Sequence, residues 1–333
     1  VVGSGHPDPL VPNLYSKAIL RVLINRADGS GGFFGPPMVQ TGGSGITPAI
    51  ADFNLDGKLD AVASSTIGVS FLAGTGAGFQ NPVSIPIRNQ QGGTSTAIAV
   101  AAGDFNNDGK PDVAVAVSSR GILVALGAGN GSFTQTGTPA STTNNVSSFA
   151  TGDINRDGKL DLVAALTSSS NPKPTQVLIL LGNGDGTLQA PVPFTVCSNP
   201  VKIQLAQLNA DANLDLVATC SGTLSNNSDL GGVGVALGNG DGTFQATTVL
   251  PAAANPDFTA IADVTGDGRP ELFSSATVAG ELGAYRVAVH LNQGNGAFQA
   301  PALLNTDFGP SGIVVTDLSG DGNADILVAH CCG

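Results

Sequence analysis

The chain has little positive charge and few aromatic side chains. Its 333 residues include no Trp, two Tyr (Tyr15 and Tyr285) and one Met. That leaves few flat platforms on which sugars or bases could stack. Thirteen Lys and Arg stand against 25 Asp and Glu, giving a formal net charge of −12. This balance argues against a nucleic-acid partner. No apolar run approaches the roughly 20 residues of a membrane span. No segment sustains the period of an amphipathic helix. There is no Gly-Lys-Ser/Thr phosphate loop and no zinc-ligand spacing. The three His (His6, His290 and His330) lie in or beside strand-like segments, without an evident Ser, Cys or metal-ligand partner. No catalytic constellation emerges, so the chain reads as non-catalytic. No initiator Met or signal peptide is visible; the expectation is a processed chain, a fragment, or one part of something longer.

What is present is a repeat. Asp-x-Asn-x-Asp-Gly-x-x-Asp occurs at Asp52–Asp60, Asp104–Asp112 and Asp153–Asp161, and looser copies start at Gln207, Asp263 and Asp317. The copies stand about one propeller blade apart, and such a period signals a stacked repeat architecture. Most of the acids lie in these loops: three in each of five copies, and Asp211 and Asp215 in the fourth. Packing like charges so closely is unfavourable unless a cation offsets them. Six divalent ions would cancel the formal charge of −12.

The spacing suits Ca²⁺, which takes six to eight oxygens. Positions 1, 3 and 5 supply side-chain oxygens, position 7 a main-chain carbonyl, and position 9 a closing acid. The expected ligands are Asp52, Asn54, Asp56, Lys58 and Asp60 in the first loop, and Asp104, Asn106, Asp108, Lys110 and Asp112 in the second. In the third they are Asp153, Asn155, Asp157, Lys159 and Asp161. The fourth offers Asn209, Asp211, Asn213 and Asp215, the fifth Asp263, Thr265, Asp267, Arg269 and Glu271, and the sixth Asp317, Ser319, Asp321, Asn323 and Asp325. Because position 7 binds through its carbonyl, its side chain is free to be Lys58 in the first loop. Gly at position 6 (Gly57 in the first copy) is expected where a β-carbon would clash in a sharp turn. The fourth copy has Gln207 at position 1 and Ala212 at position 6. It is therefore the weakest or vacant site, and the expectation is five or six Ca²⁺. An EF-hand closes with Glu at position 12 between helices. Here the closing acid runs straight into a strand, Asp60-Ala-Val-Ala.

Each loop sits between short apolar runs such as Thr96–Ala101 and Asp112–Val117, followed by a third run, Ile122–Leu126. A Gly-rich turn and an apolar residue follow, as in Gly127-Ala-Gly-Asn-Gly-Ser-Phe133 and Gly238-Asn-Gly-Asp-Gly-Thr-Phe244. Four short strands per period read as one propeller blade. The 14 Phe mostly occupy repeat positions and are expected in the core.

The calcium loop running into a strand, together with Gly-Asn-Gly-Asp-Gly-Thr-Phe, resembles the FG-GAP (VCBS-type) repeat. That repeat builds the integrin α-subunit propeller and many secreted bacterial propellers. The resemblance covers nearly the whole chain. It implies an all-β propeller with calcium between the first two strands of a blade. It does not specify an activity, since adhesins, lectins and enzyme-attached modules share it. The expectation is one domain, residues 1–333, of six four-stranded antiparallel blades, with seven also compatible. The two ends are in the same phase, so a blade would combine Ser311–Ala329 with Ala18–Val39. Within one chain this closes a ring; between chains it makes a head-to-tail assembly.

Calcium loops of micromolar or weaker affinity are useful only where calcium is plentiful, so an extracellular site is expected. Cys197 and Cys220 flank antiparallel strands, as a disulfide in an oxidising compartment or as two separate buried thiols. Cys331 and Cys332 are open to pairing with each other, with another chain, or with nothing. A structural, adhesive or protein-interaction module is the leading reading, with a carbohydrate-binding propeller as the alternative. Partner contacts are expected on the long connections Thr167–Thr175 and Ser221–Gly232.

Overall fold

A computed structural model describes residues 48–330, except 90, 119–120, 138–139, 169–172, 223–230, 252–255, 278–284 and 307–309. Of residues 1–47 it describes only the backbone of short strand segments between Leu10 and Gln40. All regular structure among the described residues is β-strand. The chain divides into two compact units. One holds residues 1–146, 159–161 and 180–191; the other holds 147–158, 162–179 and 192–333.

The unit is the four-stranded antiparallel sheet. In the first unit Ala49–Ala51, Asp60–Ser65, Gly68–Leu72 and Val83–Pro86 are neighbours in chain order. The next sheet runs Ala97–Gly103, Asp112–Val117, Gly121–Gly127 and Phe133–Gln135, with Ala140–Ser141 also on the third strand. A third sheet, most of whose residues belong to the second unit, is formed by Asn145–Gly152, Asp161–Thr167, Gln176–Leu180 and Val192–Thr195. The second unit adds Pro200–Ala206, Asp215–Cys220, Gly232–Ala236 and Thr248–Leu250, then Thr259–Ala262, Glu271–Thr277, Tyr285–His290 and Ala302–Thr306. It ends in a two-stranded pairing of Pro310–Thr316 with Asp325–His330.

Alternation is missing from the second strands because both of their faces are covered. Asp60–Ser65, Asp112–Val117 and Asp215–Cys220 are buried throughout. Strands covered on both sides read as continuous runs of small apolar residues, as these do. The core of the first unit joins sheets one and two, with Phe53, Val62, Val69, Val100, Val113, Val115 and Leu123 in one cluster. Phe53 meets Phe71 and Phe133 edge-on, with ring centroids 6.4 and 5.4 Å away. The fourth strands lie outermost, and Val83 and Val192 are each 59% exposed. In the second unit Cys197 and Cys220 form a disulfide, with Cα atoms 6.0 Å apart.

Cys331, Cys332, His6 and large parts of both long connections lie outside the described residues. So does much of Ala18–Val39, and with it the expected composite blade.

Candidate metal centres

Each nine-residue loop leaves the first strand of a sheet and re-enters as the second. In every loop but the fourth, which has only Ala212 at positive φ, its shape comes from two left-handed residues. In the first three loops these are positions 4 and 6: Leu55 and Gly57 (φ 56° and 82°), Asn107 and Gly109 (57° and 79°), Arg156 and Gly158 (61° and 79°). The fifth and sixth loops place Gly at both, as Gly266 and Gly268, and Gly320 and Gly322. The expected clash at position 6 is not found. A Cβ on Gly57, Gly109 or Gly158 would meet nothing within 4 Å. Gly serves there because an L side chain is disfavoured at positive φ.

The position 1 carboxylate gathers the turn. Asp52 accepts the N–H groups of Asp56 and Gly57 at 3.0 and 2.8 Å. Asp104 accepts Asp108 and Gly109 at 3.2 and 2.8 Å, and Asp153 accepts Asp157 and Gly158 at 3.1 and 2.9 Å. Asp263 takes Gly266 and Gly268, both at 2.8 Å, and Asp317 takes Gly320 and Gly322 at 2.6 and 2.9 Å. At position 3, Asn54, Asn106 and Asn155 accept the N–H of position 5 through Oδ1. In the first three loops the oxygens of positions 1 and 3 thereby converge on the N–H of position 5.

The side chain at position 7 also takes part in the loop. Lys58 Nζ lies 3.1 Å from Asp56 Oδ2, Lys110 Nζ 3.1 Å from Asp108 Oδ2, and Arg269 pairs with Asp267. These cations hold the carboxyls of Asp56, Asp108 and Asp267 below the usual range.

Position 9 has a second role that spacing does not reveal. Asp60, Asp112, Asp161 and Asp215 are wholly buried, and Glu271 is 1% exposed. Asp112 accepts the N–H of Phe105 through one oxygen and of Gly127 through the other, both at 2.8 Å. Asp215 does the same with Leu208 at 2.8 Å and Gly238 at 2.9 Å. Asp60 takes Asn54 and Gly74, and Asp161 takes Gly182. Burial pushes the carboxyls of Asp60, Asp112 and Asp215 upward, against the pull of these backbone donors. The acid thus staples the loop's second residue to the first Gly of the Gly-rich turn. A Cβ on Gly74, Gly127, Gly182 or Gly238 would stand 2.1 to 2.2 Å from the main-chain oxygen of loop position 8. Here Gly is required for room. In the fifth repeat Asn292 replaces it and donates to that carbonyl, Pro270, at 3.1 Å, while the longer Glu271 reaches Val264 N–H at 3.0 Å.

The Gly-rich turn also ties successive repeats. Gly131 N–H donates to Phe53 O at 3.2 Å and Gly186 to Phe105 O at 3.0 Å, both within the first unit. Within the second unit Gly242 donates to Ile154 O at 3.2 Å, and Asn292 Nδ2 to Leu208 O at 2.8 Å.

Among the described residues no three His, Cys, Asp or Glu side chains converge as a ready metal cluster. With position 9 turned inward, each complete loop presents two carboxylates, an amide or hydroxyl oxygen, and the carbonyl of position 7. All are hard oxygen donors, and their chemistry fits Ca²⁺ completed by water. The one His whose side chain is described, His290, is fully buried with neither ring nitrogen hydrogen-bonded. Burial lowers its pKa, with a smaller opposing influence from the backbone of Gln299. Among the described residues neither ring nitrogen has a side-chain hydrogen-bond partner.

The profile of the FG-GAP-like repeat matches residues 1–63, 104–164 and 277–328, together just over half the chain. The chain belongs to the FG-GAP-like repeat family. No curated protein matches it. Solved structures give the FG-GAP repeat fold a wider setting. An Agrocybe aegerita lectin, described as recognising non-reducing terminal N-acetylglucosamine, is 22% identical over 98% of this chain and 85% of its own, with a TM-score of 0.63. BBS1N, solved in complex with ARL6DN, is 12% identical over 97% and 88%, with a TM-score of 0.59. A provisionally named 6-phosphogluconolactonase of Bacteroides uniformis is 14% identical over 89% and 81%, also at 0.59. At these identities the likeness establishes the β-propeller type of fold and nothing about activity.

Proposed function

We propose that this FG-GAP repeat protein is a non-catalytic, extracellular propeller of six blades, stabilised by calcium, that acts as a structural, adhesive or protein-interaction module. The observation that carries the reading is the repeated exposed loop that gathers oxygen-bearing side chains at positions 1, 3 and 5 on one short turn while position 9 anchors it to the sheet. Calcium would add its charge where the carboxylates crowd, and each loop with an acid at position 1 would hold it through the residues named above. The ion's chemistry there is charge neutralisation and cross-linking of a turn. The disulfide agrees with an oxidising compartment. No described helix is long and apolar enough to cross a membrane.

A carbohydrate-binding role is the second reading, favoured by the likeness to the Agrocybe lectin across nearly the whole chain. Two measurements separate them. A glycan array probed in millimolar calcium, and sedimentation of the protein alone, report sugar binding and self-assembly. The first reading expects no glycan signal above background. A saturable signal for one sugar class, abolished by free sugar, would replace it with the second.

A further inference from the structure

The fourth loop is closed differently from the others. Elsewhere an acid at position 1 accepts two backbone N–H groups. Here Gln207 presents a donor, and its Nε2 lies 3.5 Å from the carbonyl of Ala212. The polarity at position 1 is inverted, and an N–H dipole aimed into a loop repels a cation. Asn209 turns its amide Nδ2 onto Asp211 Oδ2 at 3.1 Å, where a position 7 Lys or Arg pairs with the corresponding oxygen in the first, second and fifth loops. Asp211 Oδ1 accepts Asn213 N–H at 2.9 Å. Asn213 Nδ2 reaches Gly238 O at 3.2 Å and so ties the loop to its Gly-rich turn. From the third loop, Arg156 places Nη2 3.3 Å from the carbonyl of Asp211. A fixed guanidinium therefore stands at this loop. Asp215 still staples Leu208 to Gly238, so the anchor to the sheet is intact. The turn itself is less comfortable, since Ala212 holds φ 62° without being Gly.

We propose that the fourth loop is a cation-free clasp, closed by the amides of Gln207, Asn209 and Asn213 and by the charge of Arg156, and that it stays folded when calcium is withdrawn. This rests on the reading that the other loops take calcium, and it goes further by assigning them different behaviour. The first three loops, the fifth and the sixth would loosen in chelator. The fourth would not.

Native mass spectrometry and hydrogen exchange of the full chain, in calcium and in EDTA, test this. The expected result is one ion for each loop except the fourth. Asp211→Asn should leave the count unchanged, whereas Gln207→Asp with Ala212→Gly should add one ion. In EDTA, amides of the other loops should exchange about tenfold faster or more, with Leu208 and Gly238 nearly unchanged. A wild type that loses one ion on Asp211→Asn would overturn the clasp while leaving the calcium reading intact. Equal acceleration at the fourth loop would overturn it too. A wild type that binds no calcium would overturn both, and is distinguished by its zero count.

Discussion

Asp112→Ala separates the two roles of position 9. Asp112 is buried, and its oxygens accept Phe105 N–H and Gly127 N–H, both at 2.8 Å. Truncation leaves two buried donors unpaired, at about 1–3 kcal/mol each. Part of this is offset, because the desolvation that raises the carboxyl's pKa disappears with it. A net loss of roughly 3 kcal/mol follows, a large share of the 5–15 kcal/mol typical of a domain. The assay is urea unfolding in EDTA, where no ion can contribute, with Asp108→Ala as control. Asp108 is exposed and spends its side chain on an exposed pair with Lys110. Its removal in EDTA should move the urea midpoint far less than Asp112→Ala does. If Asp112→Ala costs under about 1 kcal/mol in EDTA and matters only in calcium, position 9 is a ligand alone and the staple argument is wrong.

Gly182→Ala should destabilise by about 2–4 kcal/mol, since its Cβ would press on Leu160 O and pull Gly182 N–H off Asp161; a melting temperature equal to wild type would contradict the close approach. Reducing the Cys197–Cys220 disulfide opens a loop with a sequence separation of 23 and should cost about 3 kcal/mol; unfolding with and without dithiothreitol measures it. His290 has a folded pKa below its ordinary 6.5. The unfolded chain then takes up the proton first, so stability is lost as pH falls below about 6.5, at up to about 1.4 kcal/mol per pH unit. Unfolding between pH 7.5 and 5 should show this slope in the wild type and a shallower one in His290→Leu.

Much of the fold was legible because the repeat is regular. A loop with acids at alternate positions, entering a run such as Asp112–Val117, gives the loop and its following strand together. The disulfide partners could be named from strand neighbours, although the alternative of two thiols was settled only by the structure. The rest depends on directions that spacing does not contain. Asp60 and Asp56 look alike in sequence, yet one points into the sheet and the other into solvent. The need for Gly at position 6 was legible, but its reason was not: φ at Gly57 is the constraint there, and room is the constraint at Gly127. Left-handed backbone at position 4 was hidden because Leu55, Asn107 and Arg156 tolerate it, although Gly266 and Gly320 carried the hint. The ties from Gly131 to Phe53 and from Gly186 to Phe105 join residues far apart in the chain, and no local pattern announces them.

Thermal melting in millimolar calcium against EDTA tests the central claim most directly. An ion that binds only the folded chain adds about 2.7 kcal/mol per site at a hundredfold excess over Kd. For a chain of this length several such sites should raise the melting temperature by about 10 °C or more. The account predicts that rise, reversed by chelator and reduced by more than half when Asp52, Asp104 and Asp153 are changed together to Ala. A melting temperature that agrees within about 2 °C in calcium and in EDTA would contradict it.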